Sequence, residues 1–359
     1  MSGGAERQLV HLAIGLSRRG HEVEVLVYHD ADHFRGCLEE KQIPIQVLVW
    51  RNRFQRMWVI YKTLKERRPD VVIAFKKKPA LYAELSRVFC GTYRLIVSER
   101  NYDYRGLSVG VYVRLLFHSL ADVVVTNSKS QFELIRDHAF WLRSKVVWIS
   151  NAADLFKFRP KKHGEGQPTA LCRLLVLARF AEQKNPLRFV QAIALVKNCH
   201  PHLGVVVDWY GSSYIANDVP TRLSKTYLDV KAEITRRDLD AVFSIHEPTH
   251  DVVPLLHECD ALCLPSLYEG FSNVVGEAIA CGIPVLASNV SDNPLMVRNG
   301  VNGFLFDPMN PSDIADAIVK FCECGPKERR AMGERSREIA EELLSQELFI
   351  RRYEKLLVV

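Results

Sequence analysis

Short runs dominated by Val, Ile and Leu alternate with longer stretches in which apolar residues recur every three or four positions. The runs lie at residues 22–28, 43–50, 71–75, 94–98, 123–126 and 146–149, and then at 173–178, 205–209, 242–246, 261–264 and 285–287. Most lack strict alternation of apolar and polar positions, the pattern of strands covered on both faces. Helices are predicted between them, at 8–19, 55–67, 79–90, 109–120 and 129–139, at 186–198, at 250–258 and over 272–281. Three more, at 311–322, 326–343 and 346–357, close the chain. Strands alternating with helices predict an α/β protein with parallel sheets.

At 359 residues and 48% hydrophobic composition, the chain is long enough for two domains with full cores. A polar stretch with Gly and Pro, KKHGEGQP at 161–168, reads as the linker. The expected domains are therefore 1–160 and 161–345, with 346–359 as a helix returning to the first. No run approaches the roughly 18 apolar residues of a membrane span, and no signal peptide is recognised. Nine cysteines are scattered, with Cys90, Cys172, Cys263 and Cys281 in apolar runs, as buried thiols in a reducing cytoplasm would be. Cys259-x3-Cys263 and Cys322-x-Cys324 lack a second pair at zinc-site spacing, so no metal site is expected.

The net charge of +6 is unevenly spread. Residues 1–162 carry 28 Lys and Arg against 16 Asp and Glu, and residues 163–359 carry 20 against 26. Arg51, Arg53, Arg56, Lys62, Lys65, Arg67, Arg68 and Lys76 to Lys78 are interleaved with Trp50, Phe54, Met57, Trp58, Ile60 and Tyr61. Such a surface suits an anionic leaflet or a lipid diphosphate. Nucleic acid fits the charge but is not the expected partner. An amphipathic helix packed on the sheet explains the same residues without any ligand.

The densest chemistry lies in LCLPSLYEGFSNVVGEAIACGIPVLAS, residues 262–288. A buried strand ends at Pro265 and Ser266, and the loop Leu267 to Phe271 follows. A helix then starts at Ser272 or Asn273, either of which can cap it. Glu269 in the loop and Glu277 on the helix can both face the crevice at the carboxyl end of a sheet. Free N–H groups at Ser272 to Val274 can receive phosphate oxygens, and Gly270 permits close backbone approach. Glu269 would then meet a sugar and Glu277 ribose hydroxyls. The plain alternative is a strand, a turn and a helix with one loop carboxylate and one solvated carboxylate.

At these residues the chain resembles the retaining family 4 glycosyltransferases of the GT-B fold, with Glu269 and Glu277 as the acids of an E-x7-E signature. NPLMVRNGVNGFLFDPMNPSDIADAI at 293–318 continues the likeness. The resemblance implies two Rossmann-like domains facing each other across a cleft. It implies that Arg179 and Lys184 form a diphosphate-binding pair, that the turn at Gly211 approaches the donor, and that His246 lies where the base is held. Phe271, Ser272 and Asn273 would complete the donor site. In the first domain, a Gly3-Gly4 turn and the loop carrying Glu99, Arg100 and Asn101 would face the acceptor. NAADLFKFR at 151–159 resembles the hinge. A first strand of about six apolar residues is expected before Gly3 and is missing, which predicts poor order for residues 1–5. Ala178 stands where the family often has Gly, and Tyr210-Gly211-Ser212 replaces a Gly-x-Gly.

The resemblance implies transfer of a hexose or N-acetylhexosamine from a UDP-linked nucleotide sugar to a saccharide or polyprenyl-diphosphate-linked acceptor, in cell-surface polysaccharide synthesis. The nucleotide sugar is a substrate, and neither cofactor nor metal is expected. The expected location is cytoplasmic, peripheral on the inner face of the membrane. Asp30-x-Asp32 and Asp238-x-Asp240 read as surface carboxylates. A retaining hydrolase needs two carboxylates about 5 Å apart, whereas the helical residues between Glu269 and Glu277 span about 9 Å. No Gly-x-Ser-x-Gly elbow and no GxGxxG is present. A sugar-nucleotide epimerase and a non-catalytic nucleotide or nucleic-acid binder remain as alternatives, the first separable by an acceptor-free assay.

Overall fold

The computed structural model describes residues 4–28, 32–50, 52–91, 93–100, 108–161, 171–214, 223–249 and 251–358. They form two compact units. One comprises Ser2–Ala152 with Gln346–Val359, and the other Ala153–Ser345. The division thus falls at Ala153, within the stretch read as a hinge.

In the N-terminal unit the order is α1 (Gly4–Arg18), β1 (Val25–Val27), α2 (Asp32–Glu40), β2 (Ile45–Val47), α3 (Arg53–Arg67) and β3 (Val71–Phe75). Then come α4 (Lys77–Cys90), β4 (Arg94–Glu99), α5 (Val109–Phe117), β5 (Val123–Thr126), α6 (Lys129–His138) and β6 (Val146–Trp148). All pairings are parallel. β3-β4-β5-β6 form one sheet and β1-β2 another, so among the described residues β1 and β3 are not paired. The strands read at 22–28 and 43–50 shrink to three residues each, because a two-stranded ribbon offers each only one hydrogen-bonding neighbour. Gly4 and Ala5 are helical, not poorly ordered as expected, and Gly3 lies outside the described residues.

The C-terminal unit runs β7 (Leu171–Leu177), α7 (Pro186–Cys199), β8 (Gly204–Tyr210), α8 (Lys225–Arg236), β9 (Phe243–His246), α9 (Val253–Glu258) and β10 (Ala261–Leu264). It continues with α10 (Asn273–Ala280), β11 (Val285–Ser288), α11 (Asn293–Met296), β12 (Gly303–Phe306), α12 (Pro311–Glu323) and α13 (Pro326–Leu343). Its parallel sheet has the order β12-β11-β10-β7-β8-β9. β10 and β11 are buried at every position because helices cover both faces. One core packs Trp209, Phe189, Phe243 and Phe321 on one side of the sheet, and the other packs Val275, Ile279 and Met296. The chain ends with α14 (Gln346–Glu354), which packs on α1 in the N-terminal unit: Ile350 fills the space beside Gly15, where a Cβ would lie 2.1 Å from its Cδ1.

Candidate functional site

The loops that follow β7, β8, β9 and β10 all leave the same carboxyl edge of the C-terminal sheet. The loop after β7 makes a 3-10 turn, Glu182–Lys184, closed by Asn185 in the left-handed region with Pro186 opening α7. This turn is fastened to the loop after β10 by two bonds. The Leu267 N–H donates to the Gln183 carbonyl at 2.8 Å, and Gln183 Nε2 donates to the Tyr268 carbonyl at 3.0 Å. The fastening brings Lys184 Nζ to 2.5 Å from Glu269 Oε1, with the two side chains only 18% and 10% exposed. A charge pair this sheltered is held by more than surface attraction. Glu269 is fixed further by the Ser291 hydroxyl, which accepts from its N–H at 3.3 Å.

Three residues on, Ser272 caps α10 by accepting from the Val275 N–H. The amino end of that helix therefore starts three residues after the carboxylate that holds Lys184, and its dipole favours an anion there. Phe271, Ser272 and Glu277 are buried, while Gly270 and Asn273 are half-buried. Glu277 lies within the electrostatic reach of Cys281, whose thiol is pushed up to about 12 by burial and by that carboxylate.

Arg179 follows the last residues of β7. It is exposed and has no ion-pair partner among the described residues. Its backbone is firmly set. A Cβ at Gly211 would lie 1.9 Å from the Ala178 carbonyl oxygen and 3.1 Å from the Arg179 Cα. That oxygen also accepts from Trp209 Nε1 at 2.6 Å. The single glycine of the Tyr210-Gly211-Ser212 turn is therefore needed for packing, whatever else it touches. At the neighbouring strand end His246 stacks on Tyr210, with ring centroids 4.3 Å apart, and Asp208 holds its Nε2 at 2.9 Å. The pair presents a flat, partly exposed aromatic surface.

Of the N-terminal residues singled out by resemblance, Glu99 and Arg100 are tied up within their own unit. Glu99 is buried and meets His118 Nε2 at 2.9 Å and Arg114 Nε at 3.1 Å, while His118 Nδ1 meets Glu84 at 2.5 Å. Two carboxylates thus face two cations. Burial alone would lower the His118 pKa, but the hydrogen bonds and charges of Glu84 and Glu99 overcome it and lift the value to about 9. Arg100 does not pair with Glu99. It donates to Ser98, Asn151 and Tyr353 at 2.8, 2.6 and 2.7 Å and lies over the Phe75 ring, so it clamps α14 to the sheet. Gly4 opens α1, and Asn101 is outside the described residues.

Gln183, Ser291, His118 and Tyr353 escaped the sequence reading, and Tyr210 entered it only as part of a turn. Only Gln183, beside Lys184, carried any local hint.

Models of two families match the chain: "Glycosyl transferases group 1" over residues 159–339 and "Glycosyltransferase Family 4" over residues 2–156. A D-inositol 3-phosphate glycosyltransferase of Arthrobacter sp. is 29% identical over 49% of this chain. This chain spans only 40% of that relative's length. The UDP-Gal:alpha-D-GlcNAc-diphosphoundecaprenol alpha-1,3-galactosyltransferase of Escherichia coli is 21% identical over 73% of the chain and 68% of its own length. Among solved structures, a glycosyltransferase from Rickettsia africae superposes with a TM-score of 0.84 at 18% identity, covering 99% of this chain and 94% of that one. Anabaena HepE in complex with UDP superposes with a TM-score of 0.82 at 19% identity, covering 99% and 96%.

Proposed function

Because the chain belongs to the family 4-type glycosyltransferases of the GT-B fold, we propose that it moves a hexose or N-acetylhexosamine from a UDP-linked sugar to a saccharide or lipid-linked saccharide acceptor, in cell-surface polysaccharide synthesis. The observation that carries the proposal is the Lys184–Glu269 pair set against the open end of α10. Cleaving a glycosidic bond to a nucleoside diphosphate leaves growing negative charge on phosphate. Fixed donors beside that charge stabilise the transition state more than the ground state. Lys184 and the N–H groups of Ser272 and Asn273 would receive the diphosphate, and Arg179, free and planar, would close over it. Glu269 would orient the sugar hydroxyls and Glu277 the ribose. The stacked Tyr210 and His246 rings offer the base a flat neighbour.

The acceptor hydroxyl would form the new bond at the anomeric carbon on the face from which the diphosphate departs. Its proton would pass to the leaving phosphate oxygen, and configuration would be retained. The reaction so drawn assigns no step to a metal.

A UDP donor draws support from HepE, solved with UDP and with UDP-glucose. A polyprenyl-diphosphate-linked acceptor draws support from the name of the Escherichia coli relative and from the N-terminal unit's own surface. There Phe54 (89% exposed), Trp58, Val88 and Phe89 (74%) stand on α3 and α4, with Lys62 over the Trp58 ring and Lys65 over Tyr61. Exposed aromatics beside lysines suit the interface of an anionic membrane. No helix among the described residues is long and apolar enough to cross one.

The test is a panel of UDP-sugars scored by melting temperature and then by transfer to short saccharide acceptors. One sugar should raise the melting temperature of the wild type and leave that of Glu277→Ala unmoved. A protein that responds to no nucleotide sugar, or that converts the donor without an acceptor, overturns the proposal.

A further inference from the structure

A second group of chemically active side chains lies at the other end of the same sheet. α7 ends at Cys199, and His200-Pro201-His202 forms the turn that leads into β8 at Gly204. The His200 N–H closes the last turn of α7 on Val196, and the Leu203 N–H donates to the His200 carbonyl at 2.9 Å. Pro201 fixes one backbone angle between the two imidazoles. Glu323 is the last residue of α12, which packs along α7 through the buried Val196, Ile193, Ile318 and Phe321. One nitrogen of each histidine and one oxygen of Glu323 all lie within 4.8 Å of one another. The two rings stand 6.0 Å apart and tilted by 59°, so they converge without stacking.

We propose that His200, His202 and Glu323 form a binding site for a borderline transition-metal ion, of which Zn²⁺ is the reference case. Two imidazoles and one carboxylate select such ions over Mg²⁺ or Ca²⁺, which take oxygen ligands. Tetrahedral coordination at about 2.0–2.1 Å sets the ligand atoms about 3.3 Å apart. The observed spread therefore asks for a contraction of at most about 1.5 Å. His202 and Glu323 are exposed and His200 half-buried, so rotamer adjustment can supply it. Water would fill the fourth position, since the group opens to solvent. The ion would staple the end of α7 to the end of α12. His202 and Gly204 stand at the amino edge of the parallel sheet, whereas Lys184, Glu269 and α10 stand at its carboxyl edge. The site is thus separate from the one described above and independent of the function proposed for it.

The experiment uses the full chain freed of metal by a chelator. Titration with Zn²⁺ in a calorimeter should show one ion bound per chain, weakened at least about tenfold in His200→Ala or His202→Ala and less in Glu323→Gln. Zn²⁺ should raise the melting temperature of the wild type but not of the double histidine variant. UDP binding should be the same in His202→Ala as in the wild type. Undiminished Zn²⁺ affinity in the double variant overturns the site. So does a thiolate-to-metal charge-transfer band on Co²⁺ titration, which would put the ion on an exposed cysteine such as Cys37 or Cys199.

Discussion

Lys184 is already engaged before any ligand arrives, and this makes Glu269 a competitor for it. A phosphate oxygen that reached Lys184 Nζ from the far side, at about 2.8 Å, would stand about 5 Å from the Glu269 oxygen, which is itself 2.5 Å from Nζ. With an effective dielectric constant near 20, two unit negative charges at that separation repel by about 3 kcal/mol. The side chains are 18% and 10% exposed, so water relieves on the order of half of this. Glu269→Gln should therefore tighten the binding of UDP, which carries no sugar for Glu269 to hold, by about 1.5 kcal/mol or roughly tenfold. The same variant should lose transfer activity, because the amide orients sugar hydroxyls less well. Lys184→Met should act in the opposite sense, binding UDP about 10- to 100-fold more weakly and lowering kcat by about 10²–10³. The assay is calorimetric titration of UDP into the three proteins, with transfer rates measured alongside. If Glu269→Gln binds UDP no more tightly than the wild type, Lys184 is not shared between carboxylate and phosphate and the reasoning fails.

Stability should also depend on pH through His118. Its folded pKa of about 9 lies above the ordinary 6.5, so its contribution is complete below about pH 6.5 and is lost as pH rises through 9. The full loss is on the order of 3 kcal/mol, and urea denaturation at pH 6.5 and 9.5 should show it in the wild type and not in His118→Gln. Gly211→Ala would drive a Cβ into the Ala178 carbonyl, which already accepts from Trp209 Nε1. Denaturation should register a cost of about 1–3 kcal/mol, and transfer should fall with it as Arg179 is displaced. Since cations of the chain are proposed to meet the diphosphate, excess EDTA should leave the transfer rate unchanged, and a rate abolished by EDTA and restored by Mg²⁺ would refute that assignment.

The architecture was legible because covered parallel strands announce themselves. Ala261–Leu264 and Val285–Ser288 are unbroken small or apolar runs, and both are buried at every position. α8 was not read, because only Val230 and Ile234 of its twelve residues are buried, too thin a stripe to separate from its charged surroundings. β12 was missed as well, since Gly303–Phe306 is four residues long and half of them are only partly buried. At the site, Glu269, Glu277, Arg179 and Lys184 stood out by resemblance to a family. What the residues alone could not disclose is the fastening. Gln183 meets Leu267 and Tyr268 across more than eighty positions, and no local pattern encodes such a contact. The same holds for Glu99 and Arg100. Adjacent in sequence, they part in the structure: Glu99 turns to His118 and Arg100 to Tyr353, 253 positions away.

The most direct test of the central claim is a crystal structure of the protein soaked with UDP. The account predicts a diphosphate within hydrogen-bonding distance of Lys184 Nζ and of the Ser272 or Asn273 N–H, with the ribose against Glu277. A nucleotide seated elsewhere, with Lys184 still closed on Glu269 and the end of α10 untouched, would contradict it.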